Sequence, residues 1–196
     1  MCLFIPLTMI APSTVEAGLS FGSIPSSGEV QISDETAPDG TPGIRAVFWM
    51  EAEADVVYQT LRDSQHFPEF MPDTRKVFVL ESGPDYQIAC FSGVVGFINS
   101  DLTLKRVYDD TTRRISWSLI SGLPREMTGF WLVEKDPHRS GSFVMYTSYV
   151  AKDFWFPDGI VRGLLRNNIN KTAASLRKRV ESGGNWKSEE YLRRER

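Results

Sequence analysis

The sequence predicts an α+β domain: a strongly curved antiparallel sheet of about seven strands wrapped around one long C-terminal helix, with two short helices after the first strand. Three observations predict it. Six strand-like runs follow one another from 75 to 151, and the breaks between them are a few residues long. Such breaks are too short for the crossover that parallel strands need. An apolar stripe then repeats at helical spacing over about 25 residues. Finally, the first strand is separated from the other six by a short helical stretch.

Taken in order, residues 1–42 read as an extension. "MCLFIPLTMIAP" is apolar but shorter than the ~20 residues a membrane-spanning helix requires. Val15-Glu16-Ala17 resembles a signal-peptidase site without the basic segment that precedes one. The reading is a cytoplasmic or membrane-associated protein, or an exported one if residues 1–17 belong to a signal peptide. From Ser20 to Gly43 the chain turns to Gly, Ser, Pro and acid, a linker with at most a short strand around Glu29–Ser33.

The domain proper is expected over 43–182. "IRAVFWM" (44–50) is β-branched and aromatic and reads as a strand. Val56, Val57, Thr60 and Leu61 recur at helical spacing and predict a helix over about 53–63. It ends before Pro68, which lacks an amide donor. Strands are expected at 75–82, 86–96, 98–109, 113–121, 126–136 and 142–151. In one of them Ile115, Trp117 and Leu119 alternate with Arg114, Ser116 and Ser118, the pattern of a sheet wet on one face. The last element places Val161, Leu165, Ile169, Ala173 (or Thr172), Leu176 and Val180 on one stripe between Pro157 and Gly183-Gly184. Residues 183–196 read as a charged, frayed tail.

One helix cannot fill the inside of a seven-stranded curved sheet, so a cavity between them is the geometric expectation. Function classes narrow accordingly. Apolar residues make up 41% of the 196, with a net charge of −3, which supports a real core and gives no argument for DNA binding. Cys2 and Cys90 form no framework, and His66 and His138 stand far apart, so neither a metal nor another cofactor is expected. No nucleophile elbow, zinc-protease motif, P-loop or dinucleotide fingerprint occurs.

"MEAEADVVYQTLRDSQHFPEFMPD" resembles the opening of the START-like, helix-grip (SRPBCC) superfamily, in particular its coenzyme Q-binding and polyketide cyclase/dehydrase members. The matching positions are Val57, Leu61, Asp63, Phe67, Pro68, Phe70, Met71 and Pro72. Ile115 and Trp117, then Gly129, Trp131 and Val133, are similar to the family's Ile-x-Trp and Gly-x-Trp strands. The resemblance runs over about 44–181 and implies the helix-grip fold. Glu53-Ala54 departs from the usual Ser/Thr-Pro helix start. The resemblance also implies a hydrophobic ligand: a quinone or lipid with an isoprenoid or acyl tail.

Candidate ligand-lining residues are Phe67, Phe70 and Met71 at a cavity mouth, Trp117 and Trp131 on neighbouring strands, Met145, and Trp155, Phe156 and Leu165 at the start of the terminal helix. Ordinary core packing is the competing reading for each. Arg162, Arg166, Lys171, Arg177, Lys178 and Arg179 fall between Gly159 and Val180 with no acid among them. Of these, Arg162, Arg166 and Lys171 are the surface-binding candidates, for an anionic membrane or for ribosomal RNA; a solvated helix face is the alternative. No catalytic residue is assigned, although His66, Arg125 with Glu126, and Arg114 with Asp110 are polar groups of interest. The expected function is non-enzymatic: a carrier or chaperone for an apolar small molecule. The alternatives are an aromatase/cyclase-like enzyme and a ribosome- or membrane-interacting protein.

Overall fold

Among the described residues, eight strands, all antiparallel, form one sheet in the order β1-β2-β8-β7-β6-β5-β4-β3. The computed structural model of the chain describes residues 28–95, 98–151 and 158–196, and for 95, 98, 100, 158–162, 164 and 165 it describes the backbone alone. The strands are β1 (Val30–Thr36), β2 (Pro42–Met50), β3 (Thr74–Ser82), β4 (Tyr86–Val95), β5 (Ile98–Asp109), β6 (Arg114–Ser121), β7 (Met127–Lys135) and β8 (Ser142–Val150). The helices are α1 (Ala54–Arg62), α2 (Phe67–Phe70), α3 (Asp158–Glu181) and α4 (Glu189–Arg194), with a 3-10 turn at Ser64–His66. Short helices after the first long strand, a meander and a long helix near the C-terminus make this the helix-grip fold. Register shifts at Thr74/Lys76, Val79/Glu81 and Thr103/Leu104 are bulges that bend the sheet.

β1 lies in the stretch read as linker. Val30 and Ile32 pack against the core, and the strand pairs with β2 from Val30↔Phe48 to Thr36↔Pro42. The Pro38-Asp39-Gly40 step that suggested a linker is the hairpin turn. Asp39 Oδ1 accepts from Thr41 N–H at 2.9 Å, and Gly40 has φ +86°, a conformation that glycine adopts without cost.

The helices cover one face of the sheet. Ala54, Val57, Tyr58 and Leu61 of α1 are buried, at the spacing of one helical face. Val56, expected on that face, is half exposed. Among the described side chains of α3, Ile169, Thr172, Ala173, Leu176 and Val180 are buried on the stripe that the periodicity predicts, and Arg179 is buried beside them; the side chains of Val161 and Leu165 lie outside the described residues. Gly183 N–H donates to the Val180 carbonyl and Gly184 N–H to that of Arg179, closing the helix with two positive-φ glycines.

The C-terminal segment is docked rather than frayed. Trp186 packs against the core, and Ser188 N–H donates to the Glu69 carbonyl at 2.8 Å.

Buried phenols give the fold an alkaline limit. Burial, then the 2.7 Å hydrogen bond to Asp110, pushes the Tyr58 hydroxyl above the ordinary tyrosine range. Burial does the same to Tyr108 and Tyr146. Folded groups that hold their protons more tightly than unfolded ones contribute stability below the unfolded value, near pH 10, and lose it as pH rises past that value. The midpoint of urea unfolding should therefore fall as pH rises above about 10, and Tyr58→Phe should flatten that fall.

Candidate functional site

Alternation along the strands decides what faces the helices. Phe48, Tyr108, Ile115, Trp117, Trp131, Val133 and Val144 join the side chains of α1, α2 and α3 in one core. Within it, three aromatic rings from adjacent strands form a cluster. Trp117 stacks on Tyr146 at 5.4 Å, Trp131 lies 4.5 Å from Tyr146, and the two indoles are 6.4 Å apart. Gly129 makes the arrangement possible. A Cβ there would stand 2.2 Å from the Thr147 carbonyl oxygen and 2.4 Å from the Trp117 ring, so the indole lies across bare backbone.

Part of this inner face remains open. Phe91, Leu104, Met127 and Tyr146 pack against the core yet are only partly buried. Tyr146 also brings a polar group, its phenol raised by burial and partly offset by a Ser148 side-chain hydrogen bond. Met145, a candidate from sequence, points the other way. It pairs with Val47 and Leu132, one residue out of step with Tyr146, and so occupies the opposite face of the sheet.

The "FPEF" stretch is a turn of helix, the second of the two short helices expected after the first strand. Pro68 sits in its first turn, where the missing donor costs nothing, and Met71 N–H donates to the Phe67 carbonyl at 2.7 Å. Phe67, Phe70 and Met71 are all buried. Phe67 meets Phe70 edge-on at 5.7 Å and Phe91 of β4 at 6.2 Å. The segment thus bridges the inner face and the core side of α3.

Beneath Phe67 lies a residue that sequence reasoning missed. Arg106 is 3% exposed, and its guanidinium donates to the carbonyls of Leu61 and Arg62 at the end of α1 and lies near Gln87 Oε1 and Tyr108 Oη. It also stands 5.4 Å from the centres of both the Phe67 and Tyr108 rings. Burial lowers its pKa. The available signal was its register: Leu104, Arg106 and Tyr108 alternate toward the core.

Trp155 and Phe156 lie outside the described residues, as do the side chains of Leu165 and Arg162. The basic stripe of α3 does not form one free face. Arg166 pairs with Asp34 at 3.1 Å, Arg179 with Glu69 at 2.8 Å, and Arg177 donates to the Trp49 carbonyl at 3.0 Å. Lys171 is exposed. The acids that engage the stripe come from β1 and α2, far away in sequence.

Two pockets, of about 470 and 260 Å³, open along the solvent side of α1. Neither is lined by the tryptophans. The larger has His66 on its wall, with Nδ1 2.6 Å from Asp63 Oδ2. Arg114 lies over the Phe130 ring at 3.6 Å, whereas Asp110 is taken by Tyr58 and Arg62. These two do not form the pair considered from sequence.

Known structures share this fold. A STAR-related lipid transfer protein of Xanthomonas axonopodis superposes with a TM-score of 0.63 at 18% identity, over 78% of this chain and 93% of the other. A START superfamily protein of Mycobacterium smegmatis gives 0.63 at 14%, over 71% and 97%. The Zhui aromatase/cyclase of Streptomyces sp. R1128 gives 0.58 at 19%, over 86% and 97%. No curated protein sequence matches the chain. The family model for polyketide cyclase / dehydrase and lipid transport matches residues 50–177, well over half the chain, and on that ground the protein belongs to this START-like family.

Proposed function

We propose that the protein is a carrier or chaperone that binds an apolar small molecule on the inner face of the sheet, beside Trp117, Trp131 and Tyr146. The observation that carries this reading is the partly open aromatic face: Phe91, Leu104, Met127 and Tyr146 keep accessible surface where a finished core would bury them. Covering apolar surface contributes about 25 cal/mol per Å², less the cost of association. The family's description includes lipid transport, which favours a lipid or a quinone with an isoprenoid or acyl tail. Phe67, Phe70 and Met71 would contact the ligand from the helix side.

Titration with a long-chain fatty acid and with a short-tailed quinone tests the proposal. Saturable quenching of tryptophan fluorescence is expected for at least one. Trp131→Phe should remove much of the signal and weaken binding about tenfold, ~1.4 kcal/mol. Absence of saturable binding, together with native mass spectra of host-purified protein free of any apolar adduct, would refute the carrier reading. The cyclase-like reading draws on one observation, the Tyr146 phenol beside Ser148 on an otherwise apolar face. It requires ring closure of a polyketide that is lost in Tyr146→Phe while binding persists.

A further inference from the structure

α2 is a four-residue turn, too short to hold its shape alone. Its last carbonyls have no partner within the helix, and the C-terminal segment supplies partners from outside. Ser188 N–H donates to the Glu69 carbonyl at 2.8 Å and Arg194 Nη2 to that of Pro68 at 2.9 Å. The Glu69 carboxylate is held between Arg179 at 2.8 Å and Lys187 at 3.3 Å, while Trp186 packs against the core behind them. On the far side of α2, Asn168 of α3 donates to Asp73 at 2.7 Å. The inward side of the same turn carries Phe67 and Phe70, the rings that cover the inner face next to Phe91.

We propose that the segment Trp186–Arg194 is a latch. It holds α2 shut over the inner face, with Glu69 as its catch, and its release sets the rate at which apolar ligand enters and leaves. This rests on the carrier reading above. Ser188, Lys187 and Arg194 reach the carbonyls and carboxylate of α2 and none of the lining rings, whereas Arg179 of α3 also stands 5.3 Å from the centre of the Phe70 ring. On this proposal the contacts of the segment itself are equal in the empty and the loaded protein. A contact with no differential affinity for the two states cannot shift the binding equilibrium. It acts on the barrier between them, as a lid does. Loosening the latch therefore speeds association and dissociation by the same factor and leaves the dissociation constant in place.

The test uses the full chain, with Lys187→Ala/Arg194→Ala as one variant and Glu69→Gln as another. Stopped-flow mixing with cis-parinaric acid should show both rate constants raised about tenfold, with Kd within about twofold of the parent. Unchanged rates would overturn the latch. So would a weaker Kd with unaltered association, because that places the residues in the binding surface or the general stability of the fold. Hydrogen exchange gives a readout that needs no ligand: the amides of Phe67 and Met71, bonded to the Ser64 and Phe67 carbonyls, should exchange faster in both variants, with those of β8 unchanged. If the parent protein takes up no probe, the carrier reading fails on its own and the exchange experiment decides the latch, with unaltered protection at Phe67 and Met71 rejecting it.

Discussion

Arg106→Ala is expected to lower the free energy of unfolding by about 3–5 kcal/mol, a large share of what a domain of this size possesses. Two terms set the size. The carbonyls of Leu61 and Arg62 lose their donor, each at a cost of about 1–3 kcal/mol if water does not reach it. The rings of Phe67 and Tyr108 lose the aliphatic stem and guanidinium packed beneath them, leaving a void. One term opposes: the buried cation no longer has to be kept out of water. Arg106→Met separates these contributions, since it refills the space without restoring a donor. It should recover about half the loss. Urea unfolding of the two variants decides the matter. A loss below about 0.5 kcal/mol for Arg106→Ala would mean that water satisfies both carbonyls and that Arg106 does not anchor α1. The anchor matters to the site because α1 ends where the turn carrying Phe67 begins.

How far this arrangement was legible follows from the patterning of each element. β6 advertises its inner face because Ile115 and Trp117 alternate with serines and an arginine. β8 does not: Phe143, Val144, Met145 and Tyr146 are apolar on both sides, and all but Tyr146 are buried. Without alternation, nothing local distinguishes Met145 from Tyr146, and pairing with β7 was needed to turn Tyr146 inward. β1 was only partly legible, as at most a short strand around Glu29–Ser33, for another reason. Its Pro-Asp-Gly turn has the composition of a linker, and only pairing with β2 makes the flanking residues a hairpin. The cationic stripe could not show its partners, since Asp34 and Glu69 reach Arg166 and Arg179 from elements more than 100 residues away in sequence. Local periodicity fixed the elements; the partners of charged groups are a property of the tertiary fold.

Gly129→Ala should be the most informative change at the site itself. The added methyl meets backbone on one side, 2.2 Å from the Thr147 carbonyl oxygen, and the Trp117 ring on the other, at 2.4 Å. Neither position is tolerable for a carbon atom: the indole can yield, but the contact with the Thr147 carbonyl is relieved only by a local shift of β7 against β8. Overpacking of this kind costs about 1–3 kcal/mol or more, and the share due to the ring is relieved by tilting Trp117 off Tyr146, on which it stacks. The variant is therefore expected to fold, with a lower urea midpoint, an altered near-ultraviolet tryptophan signal and apolar-ligand affinity reduced about tenfold or more. Pairing it with Trp117→Phe tests the route. A smaller ring gives the methyl room, so the double variant should regain part of the stability lost in Gly129→Ala, a coupling of about 0.5–2 kcal/mol in a double-mutant cycle. Additive losses would show instead that the clash is taken up by strand separation at Thr147. In that case the bare backbone at Gly129 serves the β7–β8 pairing and not the seating of the indole.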